Sequence, residues 1–343
     1  MVNYKKSVFI LARPAFKNLD LRNIGGVIVS SRLLLKEFDR LYISYTVLDT
    51  YRERWKFLSL IPILLASIKN IRSSKITFLN LNEREIIFLG IPLVFFSKIM
   101  KKKIIVRFFG GNQDIHYKSS WAYKIALNFL FTNSDHVLLQ TRHLCNFFDS
   151  DKSYWFPTAR PLLPFKTKYN KFTKTKKLKI VFIGNVCRTK GIHLLIDAAK
   201  QLGSSVDITV YGPLVNISLD EMKEVGIVYG GVLSHDTVHN TLRKFDYLCL
   251  PTIHDGEGYP GCILEAFNAG LPVISSCWRS IPELVKENET GILFEPGNSI
   301  DLVAAINKAK KNKMDGMRYN LLDTAQDFDT KRIYTKLSHN LLR

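Results

Sequence analysis

The stretch DGEGYPGCILEAFNAGLPVI, residues 255–274, decides the fold of the second half of the chain. Three of its glycines spell G-x-G-x-x-G, the pattern of a dinucleotide-binding turn. Glu257 and Glu265 stand eight positions apart across the same turn, a spacing that this pattern does not use. The apolar segments on either side predict a strand, a tight turn and a helix. The two patterns in this one turn predict different ligands.

The glycine pattern, made of Gly256, Gly258 and Gly261, predicts NAD binding only in a particular context. A dinucleotide site needs an acidic residue about 20 positions further on, at the end of the next strand, to bind the ribose hydroxyls. Residues 275–277 of this chain are Ser, Ser and Cys, so the acidic residue is missing. Three glycines also suit any tight strand-to-helix turn, because they avoid Cβ clashes. An NAD-binding oxidoreductase is therefore only an alternative.

The two glutamates suit a nucleotide-sugar. Glu257 is predicted in the loop and Glu265 on the first turns of the helix, with the N–H groups of residues 258–263 between them. A helix start binds phosphate through its N–H groups and its dipole. Each carboxylate can accept hydrogen bonds from hydroxyl groups. The turn therefore predicts a site for ribose hydroxyls, a diphosphate and sugar hydroxyls in succession.

Strand and helix signals alternate on both sides of this stretch. Apolar strand-like segments occur at 7–12, 41–48, 75–80, 103–109, 135–141, 179–184, 207–212, 226–231, 247–251 and 272–276. Short apolar strands separated by helices are typical of parallel β-α-β units. Residues 156–177 hold three prolines and a lysine-rich run without any period, which predicts a linker. We predict an α/β fold of two Rossmann-like doubly wound domains facing a cleft, with ligands at the carboxyl ends of the strands.

The predicted domains have different roles. Residues 1–168 form an N-terminal acceptor-side domain that a C-terminal helix over 325–343 joins, and residues 169–324 form a nucleotide-sugar-binding domain. The length of 343 residues agrees with two hydrophobic cores. The five cysteines are scattered and form no C-x-x-C pair, which favours a reducing compartment.

The formal charge of +19 is concentrated in the first half of the chain. Residues 1–168 hold 27 Lys plus Arg against 11 Asp plus Glu, or +16, and the remaining residues hold 22 against 19, or +3. An anionic membrane face, a phosphate-bearing acceptor or a nucleic acid would each suit this charge. Aromatic residues do not alternate with the basic runs as stacking platforms do, which disfavours nucleic acid.

Two apolar segments of the first half, 57–68 and 86–100, have basic flanks. Both are shorter than the roughly 20 residues that a membrane-spanning helix needs. We predict helices buried against a sheet. The alternative is that one of these helices lies in the headgroup region of a membrane.

The segment PTIHDGEGYPGCILEAFNAGLPVISS, residues 251–276, closely resembles the signature of retaining glycosyltransferases of family 4, which have the GT-B fold. That family carries Glu-x7-Glu followed by E-A-x-x-x-G-x-P-V-I. By this resemblance Glu265 binds the ribose of the donor nucleotide and Glu257 contacts the donor sugar. The resemblance assigns the phosphates to the turn and helix start, formed by Gly258, Tyr259, Pro260, Gly261, Cys262 and Ile263.

The segment FIGNVCRTKGIHLLIDAAKQL, residues 182–202, resembles the family's G-R-x-x-x-x-K-G turn, whose Arg and Lys neutralise the diphosphate. Lys190 matches the family's Lys, whereas Asn185 stands where the Arg usually does, and Arg188 is the substitute that the sequence offers. Breaking a sugar–phosphate bond develops negative charge on the departing diphosphate, which these cations would stabilise. The predicted catalytic residues are therefore Glu257, Lys190 and Arg188.

Two further segments resemble parts of the family's donor site. Residues 228–252 resemble the segment whose backbone meets the nucleotide base after a glycine, which assigns Gly231. Residues 23–34 resemble the glycine loop that approaches the donor phosphate, which assigns Gly25 and Gly26.

The segment VRFFGGNQDIHY, residues 106–117, departs from the family. Many members carry His-Gly after this strand, and the His contacts the donor sugar, whereas Phe109 occupies that position here. Asn112, Asp114 and His116 are the acceptor-side candidates, and a surface histidine without a ligand role is the alternative for His116.

We expect no metal and no cofactor. The Asp-x-Asp motif of metal-dependent glycosyltransferases occurs twice, at Asp149/Asp151 and Asp327/Asp329, but about one match is expected by chance and neither follows a predicted strand. If cations stabilise the leaving group, no metal is needed.

Taken with the resemblance, the residues predict a metal-independent retaining glycosyltransferase of cell-surface polysaccharide (O-antigen, capsule or lipopolysaccharide) biosynthesis. Its donor would be UDP- or GDP-linked, and its acceptor a glycan on a polyprenyl diphosphate lipid. We expect it in the cytoplasm, bound peripherally to the anionic inner face of the cell membrane. A GT-B-fold nucleotide-sugar epimerase is the first alternative and an NAD-binding oxidoreductase the second. A non-enzymatic scaffold is a third alternative, which the presence of both glutamates and Lys190 disfavours.

Overall fold

The computed structural model describes residues 8–15, 25–51, 60–162, 177–311 and 317–342. These residues form two compact α/β units. The first unit contains the described residues up to Thr158 together with those from Thr330 onwards, and the second runs from Ala159 to Asp329. Each contains one parallel sheet with helices, which confirms the predicted class of two Rossmann-like α/β domains.

The first unit is built on a six-stranded sheet in the order β2-β1-β3-β4-β5-β6, with every pair parallel. Its strands are β1 (Val8–Ala12), β2 (Tyr45–Asp49), β3 (Ile76–Leu81), β4 (Lys103–Phe108), β5 (His136–Leu139) and β6 (Ser153–Trp155). Its helices, in chain order, are α1 (Gly26–Arg40), α2 (Leu60–Ser73), α3 (Glu83–Glu85), α4 (Ile91–Ile99), α5 (Gln113–Ser119), α6 (Trp121–Asn133) and α7 (Arg142–Phe148). A π-helical turn, Ile86–Gly90, joins α3 to α4.

One face of this sheet packs against α2, the π-helical turn, α4, α6 and α7, which share one hydrophobic core with the strands. Helix α2 contributes Leu60, Ile63 and Ile71, spaced so that they lie on one side of the helix. The described parts of the predicted segments 57–68 and 86–100 therefore pack against a sheet along one side. Their opposite sides do not, since Leu65 and Phe95 are exposed. Among the described residues, no helix is both long and apolar enough to cross a bilayer.

The second unit is built on a six-stranded sheet in the order β12-β11-β10-β7-β8-β9, again with every pair parallel. Its strands are β7 (Leu178–Ile183), β8 (Val206–Tyr211), β9 (Val228–Tyr229), β10 (Tyr247–Leu250), β11 (Val273–Ser276) and β12 (Gly291–Phe294). Its helices are α8 (Ile192–Leu202), α9 (Leu219–Lys223), α10 (His235–Leu242), α11 (Gly261–Asn268), α12 (Ile281–Leu284), α13 (Ser299–Lys311) and α14 (Met317–Asp327). Because β7 and β10 are neighbours, the loops that follow them lie side by side.

The last helix, α15 (Thr330–Leu341), belongs to the first unit and packs against α1. Its apolar side, which includes Ile333 and Leu337, is buried. Tyr334 lies edge-on to the Phe156 ring, at 5.2 Å between centroids, and hydrogen-bonds Arg107 of β4. Burial lowers the pKa of Arg107, and the contact with Tyr334 counteracts part of this effect.

The sequence predicts that the chain passes between the two domains at 168/169 and at 324/325. The unit boundaries of the structure differ from these. The structure divides the chain at 158/159 and at 329/330. The reason is a pair of hydrogen bonds within the second unit. The N–H of Arg160 donates to the carbonyl of Phe328 at 3.0 Å, and the N–H of Leu162 donates to the Asp329 side chain at 3.2 Å. Residues 163–176 of the predicted linker lie outside the described residues.

Candidate functional site

The loop after β10 holds Glu257 in a fixed, nearly buried position. Glu257 closes a turn of this loop, in which its N–H donates to the carbonyl of His254 at 3.0 Å. The hydroxyl of Thr252, two residues after β10, donates to Glu257 Oε2 at 2.8 Å. Only 6% of Glu257 is exposed, and burying a carboxylate is costly unless a positive partner lies beside it.

Lys190 is that partner, with its Nζ 2.5 Å from Glu257 Oε2. It lies in the 3₁₀ turn Arg188–Lys190 that follows β7, and the two neighbouring loops are joined by a hydrogen bond from Ile253 N–H to Thr189 O at 2.8 Å. Lys190 and Thr252 both bind Oε2, and within the described part of the chain Oε1 has no hydrogen-bond partner. The pair is thus preformed and keeps one carboxylate oxygen available for a hydroxyl group.

Gly191 allows this lysine turn to lie against the β10 loop. Its φ is +83°, and a Cβ at this position would be 1.9 Å from the carbonyl oxygen of Pro251. We expect Gly191→Ala to lower the free energy of unfolding by about 3 kcal/mol or more, because it combines left-handed strain with a backbone clash. Urea unfolding of the purified variant would measure this loss.

Gly226→Ala is the matched control for Gly191→Ala. Gly226 also lies in the second unit at φ +77°, but a Cβ there would meet no atom within 4 Å. This control should lose only the roughly 1–2 kcal/mol that the left-handed backbone costs. Equal losses in the two variants would contradict the proposed clash with Pro251.

Glu265 lies on the first turns of α11, as predicted, and it forms an ion pair that the sequence did not suggest. Arg160 Nε is 2.6 Å from Glu265 Oε1, although 105 positions separate the two residues in the chain. The Arg160 side chain is 6% exposed and that of Glu265 16%. Arg160 Nη1 also donates to the carbonyl of Ala159 at 3.0 Å. The guanidinium therefore holds the Glu265 carboxylate in one orientation.

Gly261, the first residue of α11, leaves the space that Arg160 occupies. A Cβ at this position would be 1.8 Å from Arg160 Nη2 and 2.6 Å from its Cζ. The third glycine of the G-x-G-x-x-G pattern is thus explained by a guanidinium of the same chain. On the next strand, Ser275 and Ser276 donate their hydroxyls to the carbonyls of Leu250 and Thr252, at 2.6 and 2.5 Å.

The other residues of the predicted phosphate turn have different environments. Tyr259 is buried and donates its hydroxyl to the Glu283 carboxylate, so only its backbone is left for a ligand in the predicted role. The N–H of Ile263 donates to the carbonyl of Pro260 at 3.1 Å. Pro260 is the N-cap of α11, where no side chain caps the helix. Gly258 is buried just before it.

The pKa of the Cys262 thiol reflects the charges around the start of α11. Burial raises the pKa of its thiol to about 12, and the carboxylates of Glu265 and Glu257 add to the effect. Lys190 and Arg160 act in the opposite direction on the same thiol. Cys262 is therefore a neutral thiol at physiological pH, and two carboxylates and two cations surround the start of α11.

Arg188 lies in the same 3₁₀ turn as Lys190, and its side chain is exposed. Burial, followed by the positive charge of Arg188, lowers the pKa of His193 on α8. Asn185 is exposed near the end of β7. Arg188 and Asn185 thus both lie at the carboxyl end of this strand, and Arg188 supplies the positive charge there.

Gly231 lies at the carboxyl end of β9, next to the end of β8. It has a φ of +81°, and its carbonyl accepts a hydrogen bond from the N–H of Gly212 at 2.9 Å. In the first unit, Gly25 is the exposed N-cap of α1 and Gly26 its first residue, with no side-chain cap. This leaves the helix start open to an anion. Residues 23 and 24 of the predicted glycine loop lie outside the described residues.

The acceptor-side candidates lie at the start of α5, which follows β4 at the carboxyl edge of the first sheet. His116 Nε2 is 2.8 Å from the amide nitrogen of Asn112 and 2.8 Å from Glu83 Oε1. The buried Asp114 carboxylate is 3.0 Å from His143 Nε2. Glu83 and His143 were not predicted from the sequence. Their position just after β3 and β5 is the signal that could have indicated them, since the carboxyl ends of parallel strands share one edge.

Phe109 does not take the role of the family's histidine. Its ring is nearly buried, and the Arg107 guanidinium lies 4.6 Å from its centroid and 4.6 Å from that of Phe156. The aromatic ring thus stabilises a buried cation instead of offering a polar contact.

Comparison with known proteins identifies the domain that carries Glu257 and Glu265. Residues 165–327 match the family model described as glycosyl transferases group 1. The second unit therefore contains a glycosyltransferase group 1 domain.

Two curated relatives align with the chain over part of their length. The amylovoran biosynthesis glycosyltransferase AmsK of Erwinia amylovora is 27% identical over 182 residues, which cover 48% of this chain and 45% of that protein. The putative colanic acid biosynthesis glycosyltransferase WcaL of Salmonella typhimurium is 27% identical over 179 residues, covering 47% and 44%. The chain thus matches less than half the length of these two relatives.

Among solved structures, Anabaena Alr3699/HepE in complex with UDP shares the fold of the whole chain. The TM-score is 0.74 at 15% sequence identity, and the alignment covers 98% of this chain and 99% of that one. The same Anabaena protein has also been solved with UDP-glucose. At this identity the similarity establishes the fold, which agrees with the two α/β domains expected of the GT-B type.

Proposed function

We propose that this protein, whose second unit contains a glycosyltransferase group 1 domain, transfers a sugar from a nucleotide diphosphate donor to a glycan acceptor. The observation that carries the proposal is the Lys190–Glu257 pair, preformed where the loops after β7 and β10 meet. A cation and a hydrogen-bond acceptor are thereby placed together at the carboxyl edge of a parallel sheet, where α/β proteins bind their ligands.

The proposed donor site divides its work between the two glutamates. Glu257 Oε1 accepts a hydroxyl of the donor sugar, and Glu265, oriented by Arg160, accepts the ribose hydroxyls. The diphosphate lies at the start of α11, where Arg160 and Lys190 supply positive charge. The UDP and UDP-glucose complexes of the Anabaena protein support a uridine diphosphate donor.

The proposed reaction is a substitution at the anomeric carbon with retained configuration. The acceptor hydroxyl oxygen bonds to this carbon, and the bond from the carbon to the diphosphate oxygen breaks with its electron pair. The acceptor's proton passes to the leaving diphosphate. Lys190 and Arg188 stabilise the negative charge that develops there, so transfer needs no metal and should persist in EDTA.

The proposed acceptor is a glycan carried by a polyprenyl diphosphate lipid at the cytoplasmic face of a membrane. The charge of +16 on residues 1–168 supports this acceptor, because the lipid and the membrane face are both anionic. The names of the Erwinia and Salmonella relatives, which refer to amylovoran and colanic acid biosynthesis, support a role in polysaccharide biosynthesis. The Asn112, Asp114 and His116 cluster is the proposed acceptor contact in the first unit.

Thermal unfolding with a ligand panel tests the donor class. We expect UDP-linked or GDP-linked sugars to stabilise the protein, by about 2.7 kcal/mol when the ligand is at 100 times its Kd, and NAD to have no effect. TDP-linked sugars complete the panel. Stabilisation by NAD and by no nucleotide-sugar would overturn the proposal in favour of the oxidoreductase. The anomeric configuration of the product, followed by NMR, tests retention.

A further inference from the structure

The helical layer of the first unit exposes large apolar side chains on its outer side. Of the thirteen large hydrophobic residues that are exposed among the described residues, seven lie on α2, the π-helical turn, α4 and α6. We call them the apolar ridge; they are Ile61, Leu65, Phe88, Phe95, Ile99, Trp121 and Ile125. Phe95 is 52% exposed, Leu65 64% and Trp121 79%. Clustered apolar side chains on the surface of a protein usually mark an interaction site.

The members of the ridge lie on neighbouring helices. Helix α4 contacts both α2 and α6, so it is the middle helix of the three. The ends of α2 and α4 are also joined, because Lys102 Nζ, just after α4, donates to the carbonyls of Arg72 and Ser74 at 3.0 and 2.6 Å. Each helix buries its other side in the core, so the ridge cannot turn inward without unfolding the layer.

The charges around the ridge have one sign. Helices α2, α4 and α6 contain no Asp or Glu, and residues 60–134 hold eleven Lys plus Arg against three acidic residues. The three acids all have local partners: Glu83 pairs with His116, Glu85 closes the capping box with Asn82, and Asp114 pairs with His143. The exposed basic side chains on these three helices or within two residues of their described ends are Lys69, Arg72, Lys75, Lys98, Lys101 and Lys124.

We propose that the apolar ridge is a membrane-docking surface that inserts into the headgroup region of a bilayer containing anionic lipid. The exposed aromatic and aliphatic side chains enter the boundary between headgroups and acyl chains, while the surrounding lysines contact lipid phosphates. The boundary between headgroups and acyl chains is a favourable environment for the apolar side chains that are exposed on the ridge. The positive charge of the surrounding residues favours an anionic partner. Lysine stems can also lie along the apolar surface and keep their ammonium groups at the headgroups.

This inference rests on the proposed function for its purpose, since docking would bring the first unit to a lipid-linked acceptor. The surface itself is defined by exposure and charge alone. It can therefore be tested without donor, acceptor or transfer.

Vesicle flotation is the test, with full-length protein and liposomes of phosphatidylcholine containing either no phosphatidylglycerol or about one third of it. We expect the protein to float with the anionic vesicles and to be released by high salt. Phe95→Ser combined with Ile99→Ser should weaken binding about tenfold or more, because the affinity of an interfacial surface scales with its buried apolar area. Lys98→Gln should weaken binding about fivefold and only on anionic vesicles.

Ile300→Ser is the matched control. Ile300 is 73% exposed on α13 of the second unit, so it removes a comparable apolar side chain away from the ridge. Its binding should equal that of the unchanged protein. Absence of the protein from anionic vesicles at low salt, or equal binding by the ridge variant and the control, would overturn the inference.

Ligand stabilisation separates this inference from the proposed function. The ridge variant should keep the thermal shift with nucleotide-sugars, because the ridge lies in the first unit and Glu265 in the second. Vesicle binding without any nucleotide-sugar effect would retain the docking surface and reject the transferase. A thermal shift with nucleotide-sugars but no vesicle binding would retain the transferase and reject the docking surface.

Discussion

Replacing Lys190 by Met should lower the turnover of sugar transfer about 10²- to 10³-fold, which corresponds to about 2.7–4 kcal/mol of transition-state stabilisation. The ammonium group would no longer balance the charge that develops on the departing diphosphate. It would also no longer pair with Glu257 at 2.5 Å, which would leave that nearly buried carboxylate with the Thr252 hydroxyl as its described partner. Initial rates at saturating donor, together with donor Kd values, would measure the effect.

Two variants serve as controls for Lys190→Met. Lys190→Arg keeps the charge and should retain more activity than Met, although the planar guanidinium cannot reproduce the single short contact with Glu257. Lys200→Met removes an exposed lysine from α8 of the same unit and should leave turnover unchanged. Full turnover of a correctly folded Lys190→Met protein would reject the role of Lys190 in leaving-group stabilisation.

Replacing Arg160 by Met should lower the free energy of unfolding of the second unit by about 3–5 kcal/mol, the usual loss when one partner of a buried ion pair is removed. Glu265 would keep a largely shielded carboxylate without its guanidinium. The double variant Arg160→Met with Glu265→Met removes both charges, so it should recover much of that loss. Urea unfolding of the single and double variants forms a double-mutant cycle that yields the coupling between the two residues.

Ligand binding separates stability from recognition in this cycle. Every variant without Glu265 should lose nucleotide-diphosphate binding, including the double variant that regains stability, because the proposed ribose acceptor is gone. The exposed pair Lys308–Glu287, at 2.5 Å and with side chains 44% and 42% exposed, is the control, and Lys308→Met should cost no more than about 1 kcal/mol. Undiminished nucleotide binding by a Glu265 variant would refute the ribose contact.

Much of the fold could be predicted because parallel strands covered on both faces are continuously apolar in sequence. The helix predicted after the tight turn of residues 255–274 occurs as Gly261–Asn268, and the strand predicted over 179–184 occurs as Leu178–Ile183. Edges were harder. The segment 226–231 forms only the two-residue strand Val228–Tyr229, since a strand at the edge of the sheet has a neighbour on one side alone.

The partners of the site residues could be predicted only in part. Glu257 and Lys190 were singled out from separate motifs, and their contact follows from the adjacency of β7 and β10, which no local pattern encodes. Arg160 was missed because it stands in a proline-rich stretch without periodicity and binds a residue 105 positions away. A spacing motif identifies residues that are close in sequence, whereas the Arg160–Glu265 ion pair depends on the tertiary fold.

The position of α15 makes the first unit discontinuous in the gene. A stop codon at position 330 would leave all described residues of the second unit intact but would uncover the side of α1 against which Ile333, Tyr334 and Leu337 pack. A C-terminal deletion would therefore damage the first unit, most of which lies at the other end of the chain. A fragment covering 159–329 encodes a whole domain, whereas no single uninterrupted fragment can encode the other one alone.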